Sequence, residues 1–146
     1  MVDHRPLRIA ALAFAAGFAV HNADHVRRGL DAITDEVNTG GLVVAMASAV
    51  ILTLVATRHP LAPFAAAAGG LAIAVGVSAT HLLPDWGRLS DPLPGGDVDT
   101  LTWVAVLAEV SGALALGVTG LRIVRRQGYL LSATPSAPGG PAPARR

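Results

Sequence analysis

Three long stretches of this chain are nearly free of charge, and that constrains the fold more than any other feature. Residues 40–57 contain no ionisable side chain, residues 61–83 only His81, and residues 101–121 only Glu109. Each is about 18 residues or longer, enough for a helix to cross about 30 Å of hydrocarbon. In lipid every backbone N–H and C=O must be satisfied within the segment, so such runs are helices. Composition agrees: apolar types make up 52% of the chain, charged types 14%, and mean hydropathy is +0.53. A soluble domain carries about 25% charge. The apolar mass is mostly small residues, which suit close helix contact in lipid.

The amino-terminal segment is different. Arg5 and Arg8 precede an apolar run from Ile9 to Val20, which is short enough for a signal-peptide core. No A-x-A pattern of small residues follows it, so the expectation is a retained helix over residues 6–30 with Pro6 in its first turn. The reading is therefore all-α: a four-transmembrane-helix bundle over residues 1–131, with spans near 6–30, 40–57, 61–83 and 101–121. Asn38 or Thr39 is expected to cap the second helix, and Asp99 or Thr100 the fourth. Pro84 ends the third. Residues 132–146, rich in Pro, Ala and Gly, are expected to be a disordered tail.

Arg placement sets an expected orientation. Arg5 and Arg8, the Arg58 turn, and Arg122, Arg125 and Arg126 form one basic set. The 31–39 and 85–99 loops are net acidic, although Arg27 and Arg28 sit on their side. Both termini are thus expected on the cytoplasmic side. The same topology sends the ends bearing His21, His25 and His81, and the end near Glu109, to the outer face. At 1.5 Å per residue, Glu109 lies roughly 12 Å below the start of its helix and His21 roughly 9 Å below Arg27. His81 lies about 5 Å below Pro84, so the depths overlap.

These few polar groups are where chemistry can reside. His21 and His25 are i, i+4 on one helical face, with Asp24 three residues from His21. Two imidazoles at that spacing can share a metal ion, although the glutamate of an HExxH helix is missing, Asn22 following His21. His81 and Glu109 are the expected further ligands, with Asp24 as another. Such a set suits zinc, iron or copper(II). The bland alternatives are a headgroup-facing His pair, an Asp24 ion pair with Arg27 or Arg28, and a buried structural hydrogen bond at Glu109. Arg27 and Arg28 are expected to meet lipid phosphate. Trp86 and Trp103 read as interfacial anchors. Glu109 continues a stripe through Ala105, Ala113 and Gly117, so it is expected to point inward.

The HNADHVRRGL stretch, the RHPLAP turn, the HLLPDW helix end and the WVAVLAEVSGALALG span together resemble a group of four-span membrane proteins from high-GC bacteria. The resemblance covers nearly all of the chain except the tail. It implies the architecture and no activity. Three functions are compatible with the residues. The first is a metal or metal-cofactor site at the outer face. The second is a non-enzymatic accessory or assembly protein with a structural polar cluster. The third is proton or ion translocation in an oligomer. Partners are the bilayer and a membrane protein or second copy. The net charge of +1 gives no reason to expect nucleic acid, and with no cysteine there is no thiolate chemistry. No GxSxG elbow, P-loop or dinucleotide-binding glycine motif is present.

Overall fold

The computed structural model describes residues 4–29 and 33–128. The expected tail at 132–146 lies outside them. Among the described residues there are four helices and no strand. They are α1 (Arg5–Arg28), α2 (Asp35–Ala56), α3 (Ala62–His81) and α4 (Thr100–Arg126). Of these, α2, α3 and α4 are long and apolar enough to cross a membrane. The last two turns of α1 are polar, which separates it from the other three.

α4 is the central element, with α1 and α3 packed along it. The contact is close because glycines remove side chains where the helices cross. A Cβ at Gly17 would lie 2.6 Å from the Ala108 carbonyl oxygen, and one at Gly112 would lie 2.7 Å from Phe14 Cα. Likewise a Cβ at Gly70 would meet the Gly117 backbone, and one at Gly120 the backbone of Ala67 and Pro63, each at 2.6 Å. No other residue type permits backbones this near. The buried face of α1 (Leu7, Ala10, Ala11, Phe14, Gly17, His21, Asp24) repeats at helical spacing. Its last two members are polar, so α1 delivers His21 and Asp24 onto the same seam that its apolar residues build.

α2 starts earlier than the sequence suggests. Thr34 is its N-cap, accepting from Val37 N at 3.2 Å, in place of Asn38 or Thr39. Asp35 and Glu36 occupy the first turn, where the helix dipole favours carboxylates. α2 closes with the chain reversing at Arg58, in the left-handed region at φ 54°. The His59 N–H then bonds the Leu54 carbonyl at 2.9 Å. Asp99 caps α4 by accepting from Thr102 N at 3.0 Å. α4 runs on to Arg126, beyond the expected end at 121, its last turn carrying Arg125 and Arg126.

α3 ends at His81, and the following loop folds back over that end. The Asp91 N–H bonds the Thr80 carbonyl and the Leu93 N–H bonds the His81 carbonyl, both at 2.9 Å. These loop amides satisfy carbonyls that a helix terminus leaves open. Leu93 is fully buried and anchors the return. Trp86 is half exposed and donates its indole N–H to the Ala79 carbonyl at 2.7 Å.

A three-histidine candidate metal centre

The polar cluster forms where the C-terminal ends of α1 and α3 meet the first half of α4. His21 and His25 project from one face of α1 by their four-residue spacing. His81 reaches them from the last residue of α3. Ring centroids lie 4.6 Å apart for His21–His25, 4.8 Å for His21–His81 and 5.6 Å for His25–His81. One ligand nitrogen from each lies within 4.8 Å of the others, a cluster that can hold a metal ion. Two nitrogens on one tetrahedral zinc sit about 3.4 Å apart, so the widest pair needs to close by up to about 1.4 Å.

Each ring is held from behind. His21 Nδ1 bonds Glu109 Oε2, and both residues are buried, at 5% and 1% exposure. The Nε2 of His21 has no hydrogen-bond partner although it is buried. An orphaned nitrogen at such depth costs about 1–3 kcal/mol. Metal ligation is a role that would use it. His81 Nδ1 donates to the Asp91 carbonyl at 3.0 Å, leaving its Nε2 for the cluster. For His25 the neighbour is Arg28, whose Nη2 lies 3.2 Å from His25 Nδ1.

Of the candidates that the residue pattern singles out, the structure joins His21, His25 and His81 in one group and gives Glu109 and Asp24 other partners. Glu109 stands behind His21 instead of beside it, an arrangement that fixes the tautomer and raises the basicity of a ligating imidazole. Asp24 is 3% exposed and takes Arg27 Nη2 at 2.7 Å on Oδ1, with Arg28 Nε 3.3 Å from Oδ2. Two guanidinium groups are stronger claimants for that carboxylate than the histidine cluster. Arg27 and Arg28, expected to meet lipid phosphate, form ion pairs within the chain. Arg27 also meets Asp99 at 2.9 Å, and Arg28 meets Asp91 at 2.7 Å.

Two contributors lie outside what the residue pattern suggests. Asp91 holds His81 through its backbone carbonyl and Arg28 through its carboxylate. A carbonyl has no side-chain signature, so only the acidic residue ten positions after His81 hints at it. Glu36 reads from sequence as part of an acidic loop. Its position in the first turn of α2 places it on the wall of a cavity of about 290 Å³ that also contains all three histidines and Glu109. One Glu36 oxygen pairs with Arg88, and the other is buried without a partner.

Outside the helices, the Gly87 N–H and then the Ser90 hydroxyl hold the Asp85 carboxyl below the usual carboxylate range. The Thr102 N–H does the same for Asp99, helped by Arg27 against the opposing effect of burial. Comparison with protein-family models, with curated proteins and with solved structures returned no match.

Proposed function

We propose that this is a four-span membrane protein that binds a divalent transition metal in its outer half through His21, His25 and His81. The observation that carries the reading is the buried, unpartnered Nε2 of His21, on a ring with two further imidazoles centred 4.6 and 4.8 Å away while a buried carboxylate secures its other nitrogen. Three neutral imidazoles and an open fourth position suit zinc, with iron and copper(II) next. Both termini lie on the cytoplasmic side, by the distribution of Arg, and the membrane is a bacterial plasma membrane if the resemblance to four-span proteins of high-GC bacteria holds. A metal that kept a water in its fourth position would lower that water's pKa, and hydrolysis of a lipid-like ester would be a natural use.

The test is metal analysis of detergent-purified protein. Wild type is expected to hold close to one ion per chain, and a His21→Ala/His25→Ala protein almost none. Equal, substoichiometric metal in both proteins sinks the proposal.

A second reading is a structural cluster in an accessory protein, and the Arg28–His25 bond favours it, because a guanidinium donating to Nδ1 leaves the imidazole proton on Nε2, the nitrogen a metal would need. Under that reading Glu109→Gln preserves folding and Glu109→Leu does not, with no metal bound to either. Proton translocation has less behind it. Residues 9–20, 37–56, 62–80 and 110–121 hold no ionisable side chain, so no relay continues below the cluster.

A further inference from the structure

The cavity beside the histidines is walled by glycines that serve no packing purpose. An added Cβ at Gly40, Gly41 or Gly76 would meet nothing within 4 Å. These three line the cavity from α2 and α3. Along the seams of α4 the opposite holds, since Gly17, Gly70, Gly112 and Gly120 each lie against a neighbouring backbone. The later half of α2 buries Ser48, Ile51 and Val55, with Ile51 lying against Gly69 of α3. The first half of α2 keeps Val37 buried and Val44 against the core, and the cavity lies beside it, while Leu42, Val43 and Val75, next in sequence to lining residues, are exposed where lipid would cover them. The lining is polar at the histidine end and apolar below, where Phe18, Val44 and Val77 face the space.

We infer that this gap is a binding site for a single-chain amphiphile, whose oxygen head becomes the fourth ligand of the metal and whose tail lies between α2 and α3. The inference rests on the metal reading above and adds the class of molecule the site takes. The volume is at the low end for small-molecule sites, fitting a short chain and no bulky ring system. Water does not reach the lower part of such a gap from the bilayer side, so an acyl chain is the occupant the surroundings supply. The head is specified by the unpartnered His21 Nε2, because the metal it would bind seeks a carboxylate-like oxygen.

The experiment uses full-length protein in lipid nanodiscs, loaded with Co(II), whose visible bands report tetrahedral nitrogen ligation. Acetohydroxamate and octanohydroxamate are the probes, each binding a metal through the same oxygens. Partitioning concentrates the longer probe in every nanodisc equally, so the variants Gly76→Leu and Gly40→Leu decide. Both place a side chain in open space and keep the metal ligands. In wild type, octanohydroxamate is expected to shift the bands at tenfold or more lower concentration than acetohydroxamate. In the two variants this chain-length advantage is expected to fall at least fivefold, with the acetohydroxamate response unchanged within twofold. An advantage of the same size in all three proteins overturns the inference and leaves the metal reading standing. Absence of the Co(II) bands from wild type overturns both.

Discussion

The seams of α4 with α1 and α3 and the flank of α2 are built from the same small residues, yet they do opposite things. Half of the apolar window of α4 is buried inside the protein, against 17% of that of α2. At the seams Gly17, Gly70, Gly112 and Gly120 bring backbones into contact. At the flank Gly40, Gly41 and Gly76 hold space open. In a bilayer, helix association depends on packing, because lipid is as apolar as the side chains it would replace. Tight seams therefore hold the histidine-bearing α1 and α3 to α4, while α2 keeps far less of its surface inside the bundle. The same residue type marks rigidity or access according to what faces it.

The largest effect that would break this comparison is in the glycines themselves. Gly112→Leu drives a side chain into the Phe14 backbone and is expected to destabilise the bundle by about 1–3 kcal/mol or more. Gly40→Leu is expected to leave thermal stability within about 0.5 kcal/mol. Melting curves in one detergent check both, and equal losses would erase the distinction between seam and flank.

Next comes the carboxylate at the seam. Glu109→Leu leaves His21 Nδ1 buried without its partner, and Glu109→Gln keeps an acceptor there. Loss of such a supporting group typically lowers metal affinity by about 10–100-fold. Zinc competition is expected to show that loss for Glu109→Leu and a smaller one for Glu109→Gln. An unchanged affinity in both would mean that the seam does not tune the site.

The smallest effect is at the rim. Asp99 caps α4, and its folded-state pKa is depressed first by the Thr102 N–H and then by Arg27. The unfolded carboxyl, at about 3.9, takes its proton first as pH falls. Its contribution to stability is therefore complete above that value and is lost on acidification through the folded pKa. Between pH 6 and pH 3, wild type is expected to lose more stability than Asp99→Asn, measured by denaturation at each pH. Parallel curves would remove the cap from the account.

Much of the helical plan can be read from charge-free length, because lipid leaves a chain of such segments few alternatives. The inward stripe of Ala105, Glu109 and Ala113 follows from spacing, and all three are buried. The start of α2 is hidden because Asp35 and Glu36 look like loop residues until the helix dipole gives acidic side chains a reason to sit in a first turn. The histidines can be found, since three imidazoles at converging depths are rare in so apolar a chain. How the carboxylates divide among partners is not legible. Spacing brings Asp24 near His21, but the competition among Arg27, Arg28 and the histidines is settled only by three-dimensional contact. The support of His81 by a loop carbonyl leaves no mark in residue type beyond the acidic Asp91 that carries it.

That loop support has a further consequence. The third imidazole is fixed by the chain returning from Leu82 to Leu93, so the site depends on a segment between the helices as much as on the helices themselves. A protease cutting that segment would leave the apolar rods embedded while slackening one corner of the triangle. Durability in the membrane and integrity of the centre are thus separable properties of this fold.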